Sequence, residues 1–210
     1  MANIFDLFKQ ISSEKPKSNL PLTHVLVGLG NPGPKYERTR HNAGFLAIDA
    51  LAEKLGVRID RAKYDALTAE AEFCGARVLL LKPQTLMNRS GTAVGAAASF
   101  FKIPPQNVIV LSDDISLDGG RLRVRRKGSP GGHNGLRDIE AHLGSSEYQR
   151  IKIGVGQNPH PDFDLADWVL SEFSAEEMKA LCDSFPTLIE GLGKMVAGDT
   201  EAAMQICNKK

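Results

Sequence analysis

The alternation of apolar and polar positions divides the chain into short strands and longer helices. His24-Val-Leu-Val-Gly28 is a compact apolar run closed by a turn, the pattern of a buried strand. From Asn42 to Leu55, Phe45, Ile48, Leu51, Ala52 and Leu55 recur at helical spacing, and Gly56 supplies the stop. Leu67–Phe73 and Arg77–Leu81 alternate around Cys74-Gly75 and predict a hairpin, followed by a loop over Lys82-Pro83-Gln84-Thr85. Ser90–Phe101 is an Ala- and Gly-rich helix suited to close packing. Val108–Leu111 is the clearest buried strand and runs out into Ser112-Asp113-Asp114. Arg121–Arg126 alternates Leu122 and Val124 with arginines, as a strand with one wet face does. A helix over Leu136–Leu143, a strand over Ile151–Val155, and a helix over Ala175–Met195 broken near Pro186 complete the pattern. Strands alternating with helices imply an α/β class: a single-domain sandwich with a central mixed β-sheet flanked by helices.

Residues 1–23 stand apart as an N-terminal extension to a domain at 24–210. Ile4, Phe5, Leu7, Phe8 and Ile11 share one face of a short amphipathic segment, and Ser12 to Pro21 has the composition of a linker. At 210 residues with 42% hydrophobic and 24% charged residues, the composition is that of an ordinary globular protein. Its net charge of +1 hides an asymmetry. Eight Lys/Arg face three acidic residues between Arg121 and Lys152, whereas ten acidic residues face two lysines between His160 and Glu201. The folded molecule is therefore expected to be electrically polarised. Three widely spaced cysteines, Cys74, Cys182 and Cys207, fit reduced thiols in the cytoplasm better than a disulfide framework. No apolar run approaches the roughly 20 residues of a membrane span, and no secretory signal or transit peptide opens the chain.

Two glycine-rich turns carry the candidate chemistry. Gly28-Leu29-Gly30-Asn31-Pro32-Gly33 leads to Arg40-His41-Asn42, and Gly131-Gly132-His133-Asn134-Gly135 repeats the pairing of His with Asn. In an open α/β sheet, sites form outside the carboxyl ends of strands. That rule gathers Asn31, Tyr36 and His41 after the first strand, Met87 and Asn88 after the hairpin, Asp113 and Asp114 after the buried strand, and His133 and Asn134 after the arginine strand. A His beside an Asp, with several Asn and no paired Ser or Cys nucleophile, points to water attack on an acyl centre. The imidazole takes the proton, the carboxylate fixes its tautomer, and amide N–H groups meet the developing oxyanion. Asp114 and Asp118 read as turn carboxylates, and His24, His142 and His160 as structural or exposed. No HExxH or paired Cys/His spacing supports a metal.

Gly28-x-Gly30-x-x-Gly33 also matches a dinucleotide fingerprint, with Asp60 downstream. That fingerprint needs a helix to open there, and Pro32 and Pro34 deny it one. Arg121, Arg123, Arg125, Arg126 and Lys127 form the one dense basic run. Alternation places Arg121, Arg123 and Arg125 on one strand face, next to the glycine turn and within reach of Lys152, which favours contact with a phosphate backbone.

The combination of Val27–Gly33, Tyr36, Thr39–Gly44, Met87–Gly91 and Gly131–Gly135 resembles bacterial-type peptidyl-tRNA hydrolases over residues 24–205. The resemblance implies a monomeric enzyme without metal or cofactor that cleaves the ester between a nascent peptide and tRNA, preferring substrates with a blocked amino group. Carried over by position, His41 is the general base and Asp113 its orienting partner. Asn31, Asn88 and Asn134 hold the peptide or the reacting carbonyl, His133 lines the site, and Tyr36 and Met87 shape the cleft. Arg125 and Lys152 fall where the family clamps a tRNA phosphate. Ser112-Asp113-Asp114 stands where some relatives carry His-Asp-Glu, with the central Asp kept. Two rivals use the same residues differently: a non-catalytic RNA-binding relative akin to splicing cofactors, and a hydrolase of another ester or amide.

Overall fold

Four apolar runs form the middle of one seven-stranded sheet in a computed structural model that describes residues 20–158 and 164–209. The strands are β1 (Leu22–Gly28), β2 (Arg61–Lys63), β3 (Ala66–Phe73), β4 (Ala76–Pro83), β5 (Val108–Asp114), β6 (Leu122–Arg125) and β7 (Gln149–Gly154). Their order is β2-β3-β4-β1-β5-β7-β6. Neighbouring strands among β4, β1, β5 and β7 run parallel, while β2, β3 and β6 complete the edges antiparallel. Every residue of β5 is buried. This is why its sequence reads as a continuous apolar run rather than an alternation.

Among the described residues, six helices accompany the sheet. On one face lie α1 (Ala43–Leu55), α5 (Ala175–Val196) and α6 (Thr200–Cys207), whose Ile48, Leu51, Leu188 and Leu192 meet Leu26, Leu80, Ile109 and Leu111 of the strands. On the other lie α2 (Ser90–Phe101) and α3 (Asn134–Leu143), with Val94, Ala97, Leu136 and Ile139 against Val25, Val27, Val108 and Val110. The short α4 (Leu165–Leu170) stands near the carboxyl end of β7, where Trp168 Nε1 donates to the carbonyl of Gly156. The expected mixed α/β sandwich is this structure. The expected amphipathic segment at the N-terminus lies outside the described residues.

Three differences from the sequence reading have local causes. The helix over 175–196 runs through Pro186 without a break, because Pro186 sits on its exposed face, where the carbonyl freed by the missing N–H meets water. A third strand, β2, precedes the hairpin. Its turn uses Tyr64 and Asp65, both left-handed at φ 57° and 51°, and offers no glycine signal. The Tyr64 ring, 5.3 Å from Phe100 and 5.8 Å from Phe101, helps hold that turn. Finally, β1 begins at Leu22 and β4 continues to Pro83, each beyond the apolar run that marks it.

The close approach of α1 to the sheet depends on two glycines. A Cβ on Gly28 would strike the carbonyl of Gly44, and a Cβ on Gly44 would strike the backbone of Leu29 and the carbonyl of Leu111. This brings the start of α1 against the ends of β1 and β5. Gly44→Ala, which in an exposed helix would stabilise, is expected here to cost about 2–3 kcal/mol through overpacking. A thermal melt should then show Tm lower by about 5–10 °C.

Candidate active site

The carboxyl ends of the parallel strands gather the residues that the sequence singled out. Asp113 lies one residue from the end of β5, Asn31 follows β1, and Met87 and Asn88 sit in a one-turn 3-10 segment between β4 and α2. His41 lies in a similar turn, Arg40–Asn42, directly before α1. His133 occupies the position before the first turn of α3. Asn31 and Asn42 lock their loops together. The backbone N–H of Asn31 donates to Asn42 Oδ1 at 2.8 Å, and Asn42 Nδ2 returns a bond to the Asn31 carbonyl at 3.0 Å. Asn31 Oδ1 then accepts from the Met87 N–H at 2.8 Å, which ties the third loop in and leaves Nδ2 of Asn31 for a substrate.

Asp113 is 5% exposed and bonds to both histidines. His41 Nδ1 lies 2.9 and 3.0 Å from its two carboxylate oxygens, and His133 Nε2 lies 3.0 Å from Oδ1. Burial alone would raise the Asp113 carboxyl, but the two imidazoles, by charge and by hydrogen bonding, hold it far below the ordinary carboxylate range. Burial of His41 acts against its imidazolium. The charge of Asp113 and its hydrogen bond outweigh that penalty and raise the His41 pKa above its ordinary value of 6.5. With Nδ1–H committed to Asp113, His41 keeps its Nε2 lone pair for chemistry. His133 has the opposite tautomer: its Nδ1 accepts from the Gly135 and Leu136 N–H groups, so Nε2 carries the proton. Ligand-type atoms of His41, Asp113 and His133 lie within 4.8 Å of one another. Both imidazole-carboxylate gaps are bridged by ring N–H groups, so the trio shares protons rather than offering three lone pairs to a metal.

His41, Asp113, His133, Asn31 and Met87 thus converge. Asn88 and Asn134 are exposed on the adjoining turns, with Asn134 Oδ1 taking a 3.4 Å bond from Arg137. Tyr36 is half-buried, with Lys35 Nζ 4.7 Å from its ring centre. A Cβ on Gly135 would meet Met87 Sδ at 2.7 Å, so the glycine lets the His133 turn seat against Met87. Both ring nitrogens of His133 are spent on the protein, Nε2 on Asp113 and Nδ1 on the start of α3. Of the remaining histidines, His24 is half-buried beside Thr23, His142 lies on the Asp138 carbonyl, and His160 lies outside the described residues. Gly33 opens no helix but a three-residue turn, Pro34–Tyr36, so the dinucleotide fingerprint lacks its helix N-terminus.

The basic surface follows from register. Arg123 pairs with Lys152 and Arg125 with Arg150, so all four leave one face of the β6–β7 ribbon. Arg121 falls outside the strand and pairs with Asp118 at 3.7 Å, which removes it from the expected row of three. Arg126 and Lys127 pair with Glu201 and Glu147. Lys152 Nζ is held by Asp114 at 2.7 Å, and Asp114 also accepts from Ser116. Arg150 is buried. It stacks on Tyr148 at 4.2 Å and holds the Ser129 carbonyl at 3.1 Å, anchoring the glycine loop from below.

Sequence reasoning passed over Arg40. It is buried, its guanidinium lies 3.7 Å from the centre of the Trp168 ring, and it makes paired 2.7 Å bonds to both Glu177 oxygens. Further bonds reach Ser171 Oγ and the Glu172 carbonyl. The motif around His41 contains Arg40, but only the tertiary structure supplies partners more than 130 residues away.

Comparison with known proteins agrees with this geometry. The family model described as peptidyl-tRNA hydrolase matches residues 25–210. The peptidyl-tRNA hydrolase of Caldanaerobacter subterraneus subsp. tengcongensis is 46% identical over 88% of this chain and 99% of its own. That of Agathobacter rectalis is 46% identical over 88% of this chain and 100% of its own. The fold matches a crystal structure of peptidyl-tRNA hydrolase from Acinetobacter baumannii with a TM-score of 0.83 at 32% identity, covering 91% of this chain and 97% of that one. On sequence, fold and the arrangement at its strand ends, the chain belongs to the peptidyl-tRNA hydrolase family.

Proposed function

We propose that this chain hydrolyses the ester joining a peptide to tRNA, with His41 as the base that activates water. The observation that carries this reading is the bond from His41 Nδ1 to a buried Asp113, which leaves Nε2 as the proton acceptor. Nε2 takes a proton from water as the water oxygen attacks the ester carbonyl, and Asp113 stabilises the imidazolium that forms. Asn31 Nδ2, with Asn88 beside it, donates to the tetrahedral oxyanion. Collapse of that intermediate breaks the bond to the ribose oxygen of tRNA, which leaves with the proton returned from His41. Asn134, Tyr36 and Met87 line the path of the peptide.

The tRNA backbone lies along the β6–β7 face, where Arg123 and Arg125 carry no ion pair among the described residues. Lys152 contributes through its charge, and a phosphate there competes with Asp114. The catalytic unit is residues 24–210, working as a monomer in the cytoplasm, with 1–23 as an appended segment. Free cysteines support a reducing compartment. Among the described residues no helix is long and apolar enough to cross a membrane.

Three outcomes are expected. His41→Ala cuts release of tRNA from N-acetyl-aminoacyl-tRNA at least ~10²-fold, the scale of general-base catalysis; near wild-type turnover would discard the assignment. Hydrolysis needs neutral His41, and its raised pKa moves the acid limb of kcat/KM, which reports the free enzyme, to higher pH than an ordinary imidazole would give. Asp113→Asn removes the charge that raises it, leaves the burial penalty, and so moves that limb to lower pH while turnover falls. In a salt titration of tRNA binding, Arg125→Ala weakens affinity and flattens the slope by about one unit for one lost phosphate contact.

A further inference from the structure

The surroundings of His133 assign a separate partner to each ring nitrogen. Its Nδ1 accepts from two N–H groups at the start of α3, Gly135 at 3.1 Å and Leu136 at 3.3 Å. A proton on Nδ1 would face both donors, and the positive end of a ten-residue helix as well. His133 Nε2 gives a proton to Asp113 Oδ1, the same oxygen that His41 Nδ1 approaches at 2.9 Å. The two rings stand 5.1 Å apart and tilted by 42°, with His133 almost enclosed. One carboxylate oxygen thus serves two imidazole donors.

Sharing has a chemical consequence. A carboxylate oxygen that already accepts from a second donor stabilises a neighbouring imidazolium less than an unencumbered one does. We propose that His133 is a positioning residue, which orients Asp113 through Nε2 while capping α3 through Nδ1 and so tempers the pull of Asp113 on the His41 ring. Without it, His41 would remain protonated, and idle as a base, further into the neutral range. The groups facing His41 are Asp113 from β5 and His133 from the start of α3. The nearby Lys152–Asp114 pair, from β7 and β5, and the Arg40–Glu177 pair, reaching α5, are each neutralised internally. This role rests on the reading of His41 as the base.

Two substitutions separate the two ring nitrogens. His133→Asn places an amide oxygen where Nδ1 stood, so it keeps the cap, but it ends short of Asp113. His133→Gln places an N–H where Nε2 stood and loses the cap. The experiment follows the His41 imidazole nitrogens by NMR through a pH titration in wild type and both variants, with thermal melts and the pH profile of kcat/KM alongside. In His133→Asn the His41 midpoint should rise by about 0.5–1 pH unit and the acid limb of kcat/KM should follow, with Tm close to wild type. In His133→Gln the midpoint should stay near the wild-type value while Tm falls. A His41 midpoint unmoved in His133→Asn, with His41→Ala inactive, would overturn the role of His133 alone. Full hydrolysis by His41→Ala, with the midpoint still shifted by His133→Asn, would overturn the base reading alone.

Discussion

A buried negative charge organises this site. An ionised carboxylate taken out of water costs several kcal/mol unless donors replace its hydration, and Asp113 is almost fully enclosed. The β5 backbone at this point is paired with β7, Asp113 lying opposite Ile153, so the side chain needs donors from elsewhere. They come from His41 and His133, which precede helices on opposite faces of the sheet. Satisfying the carboxylate therefore fixes two loops against one strand end. The same contacts set the tautomers of both imidazoles, so the constraint that stabilises the fold locally also leaves Nε2 of His41 as the proposed base requires.

The scaffold holds those loops by backbone contact more than by large side chains. Gly28 and Gly44 let α1 touch the sheet where His41 leaves it, and Gly91 brings α2 against the Asp138 carbonyl of α3. Asn31 and Asn42 spend three hydrogen bonds on joining the loops after β1 and β4 to the turn before α1. Arg40 extends the framework to the C-terminal helices. Its partner Glu177 is also the capping-box residue of α5, so one carboxylate closes a helix end and neutralises a buried guanidinium beside His41. Removing one member of such a pair would leave the other buried and uncompensated.

Charge is arranged around this centre with the same economy. The pairing of β6 with β7 collects Arg123, Arg125, Arg150 and Lys152 on one face, yet their roles diverge. Arg150 is spent inside, under the loop that carries His133, and Lys152 is tied to Asp114 at the rim. Arg123 and Arg125 carry no ion pair among the described residues, as the proposed phosphate contact requires. Position along a strand made the row basic, and burial then decided which of its members could meet a phosphate.

Much of this was legible along the chain because it depends on local pattern. Continuous apolar runs give the central strands, Gly56 and Cys74-Gly75 give a helix stop and a hairpin, and the two His-Asn glycine turns give the candidate chemistry. Those features arise from steric preferences within a few residues. Pro186 shows where such reading fails, since a proline on the exposed face of a well-packed helix can be accommodated without ending it. The Tyr64-Asp65 turn is held by aromatic rings from a distant helix rather than by its own residues. The dual use of His133, the burial of Arg40 and Arg150, and the tie between Lys152 and Asp114 have no sequence signal either, because each depends on a partner at least 20 residues away except for the capping half of His133. Sequence determined which chemical groups reach the strand ends. Tertiary structure decided which of them face one another, and so which nitrogen carries a proton and which charge is left free.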